Sequence, residues 1–144
     1  MKNRYTVAIT CLVLGTSLSG VAFGHGTERH GKTASADAQM KKLHTMMPMF
    51  SIVSANLEIV LNKGDAAAAE SEAHKIITAV PDLKKSRPHK NIGQKKKFVE
   101  LANTLGTAVT LTADLAKIGD FTGATNAYKK AEQACAACHA IFRD

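Results

Sequence analysis

Two Gly-Asp steps, Gly64-Asp65 and Gly119-Asp120, do most to limit the shape this chain can take. Glycine accepts the left-handed conformation that closes a helix, and aspartate caps the free N–H groups of the next one. Each step separates long segments whose apolar residues recur every three or four positions. Before the first step, Met40, Leu43, Met47, Phe50, Ser54, Leu57 and Leu61 keep this spacing over about 36–62. Pro48 interrupts that stretch and predicts a kinked helix. After the step, Ala69, Ala73, Ile76, Ile77 and Val80 form a second seam, which Pro81 is expected to end. A loop containing Pro88 follows over about 82–92. The third helix is expected over about 93–118, with Phe98, Leu101, Leu105, Ala108, Thr112 and Leu115 inward. The fourth, over about 122–142, turns Tyr128, Ala131, Cys135, Cys138, His139 and Phe142 to one side. Short turns force antiparallel neighbours. The expected fold is all-α, an antiparallel up-down-up-down four-helix bundle. Few aromatics, no Trp and abundant Ala favour helices over strands in the same way.

Such a bundle brings the end of the fourth helix beside the start of the first and the loop between the second and third. The end of the fourth helix carries Cys135-Ala136-Ala137-Cys138-His139, five residues before the C-terminus. C-x-x-C-H is the attachment signature of a c-type haem. Two thiols three residues apart lie on one helix face, where each can form a thioether with a haem vinyl group. The adjacent His139 then supplies an axial iron ligand, and a second protein ligand has to come from earlier in the chain. A zinc site would need a further set of soft ligands, and there is no second Cys pair. A redox dithiol of the thioredoxin kind would need a βαβ setting, which this chain lacks.

The start of the chain reads as a secretory signal peptide over 1–24. Lys2 and Arg4 form a basic start, Val7 through Leu18 an apolar core, and Ala22-Phe23-Gly24 a small-x-small cleavage site. The apolar core is short for a membrane span. Cys11 lies inside it and leaves with it, so Cys135 and Cys138 are the only cysteines expected in the mature chain. Removing Lys2 and Arg4 takes the formal charge from +7 to +5. Residues 25–35 are polar and Gly-containing and read as a flexible leader. Its His25 and His30 give only weak grounds for a metal site. Residues 36–144 form the one domain. The expected location is the periplasm.

A four-helix chain with C-x-x-C-H in its last turns resembles the class II cytochromes c, the cytochrome c′ group. Cys135, Cys138, His139, Phe142 and Arg143 carry the resemblance, matching a C-x-x-C-H-x-x-[aromatic]-Arg ending. Class I cytochromes c differ, with the motif near the N-terminus and a Met ligand after it. The resemblance implies one covalently bound haem c, contacted by Cys135, Cys138, His139 and Arg143. It also implies a possible homodimer through the first two helices. One departure stands out. An Arg-Gln pair often found in the family's first helix is replaced here by Lys41-Lys42, so propionate contacts at that point do not carry over.

In the family the sixth iron position is either filled by Met or faced by an apolar side chain. Met47 shares the inward seam with Leu43 and Phe50 and is the expected distal ligand, with Met46 and His44 as alternatives. Methionines of this kind also serve simply as core filler. From 84 to 97 the chain carries Lys84, Lys85, Arg87, Lys90, Lys95, Lys96 and Lys97 without an acidic residue. Placed beside the haem end, that segment suits an acidic redox partner. It lacks the interleaved aromatics of a nucleic-acid surface. The expected function is electron transfer by a periplasmic mono-haem cytochrome. The alternative is a five-coordinate haem binding nitric oxide or carbon monoxide. Substrate turnover such as peroxidation would need distal acid–base groups, for which His44 alone qualifies, so the chain is read as a carrier and not an enzyme.

Overall fold

Both Gly-Asp steps do what their chemistry dictates. Gly64 and Gly119 take φ of +70° and +81°, the left-handed region that an L side chain resists. Asp65 and Asp120 then cap the following helices. The Asp65 carboxylate accepts the Ala68 N–H at 3.0 Å, and the Asp120 carboxylate accepts the Gly123 N–H at 2.8 Å. Gly123 serves that second cap through its missing side chain, because a Cβ there would collide with the Asp120 carboxylate. Asp120→Ala is expected to destabilise the fold by about 1 kcal/mol, the usual worth of an N-cap. Urea unfolding should show a lower midpoint at an unchanged slope.

The computed structural model describes residues 34–143. Helix α1 spans Ala34–Lys63, α2 Ala66–Lys85, α3 Lys95–Lys117 and α4 Phe121–Phe142, with a short 3-10 turn at Ile92–Gln94 before α3. Among the described residues there are four α-helices and no strand, packed as an all-α four-helix bundle. None of these helices is long and apolar enough to cross a membrane. The segment read as a signal peptide, 1–24, and most of the segment read as a leader lie outside the described residues. Helix α1 already begins at Ala34, inside the segment read as leader.

Two expectations about the helices need correction. Pro81 does not end α2, which continues to Lys85. Pro81 is exposed, on the side where water can take the carbonyl it leaves free. Leu83 beyond it is buried and extends the seam. Ser86 closes the helix, its N–H donating to the Asp82 and Leu83 carbonyls and its hydroxyl to Asp82. Pro48 likewise lies inside α1 with its ring exposed, and the helix runs through it.

The second correction concerns the seam of α1. The buried residues are Met40, Leu43, Met46, Phe50, Val53, Leu57 and Leu61. Met46 and Val53 replace the expected Met47 and Ser54, which are half-buried. Helix α1 rests mainly on α2 and touches α4 only sparsely, so its buried stripe turns one residue toward α2. By contrast α3 and α4 pack most extensively. The small residues Ala124, Ala127, Ala131 and Ala134 along α4 let the two helices approach closely.

Candidate cofactor site

The antiparallel order brings four chain segments together at one end of the bundle. Phe98 at the start of α3 meets Phe142 at the end of α4 edge-to-face, with ring centroids 5.3 Å apart. The loop between α2 and α3 is tied to the same end. The Lys90 N–H donates to the Phe142 carbonyl at 3.3 Å, and the Asn91 side-chain amide to the Ile141 carbonyl at 2.6 Å. Asn91 adopts a left-handed φ of 54° to make that turn, a conformation asparagine tolerates. From α1, Lys42 pairs with Asp82 at 2.8 Å. The bond from Lys42 holds the Asp82 carboxyl below its ordinary range, with Lys42 and Lys85 adding charge attraction.

This end holds Cys135, Cys138 and His139. Both cysteines are free and half-buried. Burial pushes the Cys138 thiol up to about 11, with Cys135 adding to the effect. Burial, then the charge of Glu132, raises Cys135. Folded, the pair is therefore protonated at neutral pH. A redox dithiol needs a stabilised thiolate, whereas burial here disfavours the thiolate of both cysteines. His139 lies exposed in the last turn of α4. Partial burial, then the Arg143 charge, lowers its affinity for a proton, which leaves the neutral imidazole a metal ligand requires. Arg143 caps α4 with its N–H on the His139 carbonyl.

Beneath Cys135 lies a cavity of about 210 Å3, lined by Ile76, Leu105, Val109, Tyr128 and Ala131, with Ser54 and Glu132. That is smaller than the roughly 300–1,000 Å3 of common cofactor pockets. Its lining by Ser54 of α1 and by Tyr128, Ala131, Glu132 and Cys135 of α4 places it along the sparsely packed α1–α4 seam. Two thiols on one helix face, a neutral imidazole next to them and an apolar surround fit a covalently held haem. Among the described residues no three His, Cys, Asp or Glu side chains converge on one point, so a four-ligand zinc centre has no counterpart.

One contact sets the register of α1 against α4. The Tyr128 hydroxyl donates to the Ser54 carbonyl at 2.9 Å. Burial raises the Tyr128 hydroxyl above its ordinary range, against the lowering effect of that bond. Met47 lies seven residues before Ser54, and Cys135 seven after Tyr128. Seven residues are two helical turns, about 10 Å. In antiparallel helices those steps run the same way, so Met47 shares the α4-facing side of α1 at about the level of Cys135. Met46, at 6% exposure, belongs to the core.

His44 is engaged elsewhere. Its Nε2 lies 3.0 Å from Nε2 of His89 in the α2–α3 loop. Sequence reasoning missed this pair, although both residues sit in segments the topology brings together. The role of Lys95 was missed too. Its ammonium donates to the Ser86 carbonyl at 2.6 Å and stands 5.0 Å above the Phe98 ring. That lysine belongs to the fold of the loop, whereas Lys84, Lys85, Lys90 and Lys96 carry the basic character outward from it.

Comparison with protein-family models, with curated proteins and with solved structures finds no match to this chain.

Proposed function

We propose that this chain is an exported, periplasmic mono-haem c-type cytochrome whose function is electron transfer. The observation that carries this reading is the placement of Cys135, Cys138 and His139. They occupy the last turns of α4, where the two free thiols are half-buried on one helix face and Cys135 lines a largely apolar cavity. Cys135 and Cys138 would anchor the haem, and His139 would ligate its iron. Bound there, the haem supplies one-electron chemistry. Phe98 and Phe142, buried edge-to-face at the same end of the bundle, would help to keep water from it, and burial of this kind helps set a haem's potential. The register through Tyr128 and Ser54 supports Met47 as the distal ligand. Two exposed isoleucines on α1, Ile52 and Ile59, support pairing of two copies.

Intact-mass analysis of the purified protein tests the attachment. One haem retained through acid-acetone extraction is the expected result. A chain of unmodified mass from a host that attaches haem c to other proteins would overturn it.

The basic rim supports an acidic redox partner. Charge reversal at Lys84, Lys85, Lys90 and Lys96 is expected to slow electron transfer to such a partner by about tenfold or more at low salt, and to flatten its salt dependence. Stopped-flow measurement of the bimolecular rate reads this directly. Lys95→Glu should instead lower the melting temperature, because it removes the bond to Ser86.

A further inference from the structure

We propose that His44 and His89 form a binding site for a divalent transition-metal ion of the zinc, copper and nickel class, clasping α1 to the α2–α3 loop. The two residues are 45 apart in sequence and sit on different elements, yet their Nε2 atoms are 3.0 Å apart. Imidazole binds such ions at about 2.0–2.1 Å. Two nitrogens at neighbouring positions around one ion therefore stand about 2.9–3.4 Å apart, and the observed separation falls in that range. The ring centroids are farther apart, at 4.9 Å, and the ring planes are inclined by only 18°. The Nε2 atoms are thus closer together than the ring centroids, at facing edges of the two rings. Without metal, one ring donates an Nε2–H to the other. Metal binding takes both rings as the tautomer with the proton on Nδ1, so the Nε2–H proton of the donor ring is given up to solvent as its Nδ1 takes one up.

Imidazole nitrogen selects against calcium and magnesium, which take oxygen ligands, and favours copper, zinc or nickel. The two imidazoles supply two of the ion's ligands. Lys42, on the same helix as His44, is already paired with Asp82. Arg87 and Lys90 in the loop add positive charge that keeps the affinity modest. The clasp has a structural consequence. The loop that holds His89 also binds the end of α4 through Lys90 and Asn91. An ion at His44 and His89 stiffens the end of the bundle that carries Cys135, Cys138 and His139.

Zinc titration of the protein as isolated, followed by calorimetry and thermal melting, tests the site, and neither readout depends on haem absorption. The expected result is a zinc-induced rise in melting temperature. His44→Ala and His89→Ala should each abolish that rise and weaken the tightest zinc site at least tenfold. His74→Ala, exposed on α2, should change neither. With Cu2+ as probe, the paramagnetic resonance spectrum should show two nitrogen ligands, and fewer in either variant. Equal zinc affinity and an equal melting response in all four proteins would overturn the proposal. A change of haem spin state in His44→Ala would overturn it as well, by assigning His44 to the iron.

Discussion

Replacing both Cys135 and Cys138 with serine is expected to leave no covalently attached haem. Each thiol supplies one thioether, and serine forms none. Each single variant should keep one bond, so haem still survives acid-acetone extraction but with an altered reduced spectrum. The structural consequence should be large as well. The α1–α4 seam is the most sparsely packed between neighbouring helices of the bundle, and a four-helix domain of this size has only a modest core of its own. A protein without haem should therefore melt at a markedly lower temperature and lose part of its helical circular dichroism. Haem retained in full by the double variant would place the attachment elsewhere.

Met47→Ala should produce the second large effect, in the electronic state of the iron. With Met47 opposite His139, the oxidised protein is expected to show the weak near-infrared band of thioether ligation. The variant should lose that band, turn high-spin and gain carbon monoxide binding that the native protein lacks. Its potential should fall, because thioether ligation stabilises ferrous iron. Met46→Ala should instead cost about 2–5 kcal/mol of stability, as a large-to-small change in a packed core, with the near-infrared band intact. If Met46→Ala removes the band and Met47→Ala does not, the register argument through Ser54 and Tyr128 is wrong.

The architecture was readable because its determinants are local. Gly64, Asp65, Gly119 and Asp120 each need only their immediate neighbours, and all four adopt the expected conformations. The seams of α2 and α3 were mostly readable, since each of those helices is flanked closely on both sides, although Ile77 and Leu115 are only half-buried and Leu83 and Ala116 are buried beyond the expected sets. The seam of α1 was not. Periodicity fixes that a stripe exists, but which residue leads it depends on how evenly the partners share the helix. Here α2 takes most of α1, so Met46 and Val53 are buried where Met47 and Ser54 were expected. Pro81 misled in another way. A proline ends a helix when its lost bond is unsatisfied, and an exposed proline with Leu83 buried beyond it pays little. The His44–His89 pair and the Lys95–Ser86 bond link positions through tertiary contact and leave no local pattern to read.

The C-x-x-C-H motif itself was legible, and its position at the end of α4 gives it a consistent setting. The proposed electron transfer rests on what would sit opposite His139 on the iron. The absorption spectrum of the dithionite-reduced protein, recorded before and after adding carbon monoxide, measures that most directly. Sharp low-spin bands that carbon monoxide does not move are the predicted result. A high-spin spectrum that shifts on adding the gas would contradict electron transfer through a six-coordinate haem and make the chain a gas-binding cytochrome; no haem spectrum at all would contradict both.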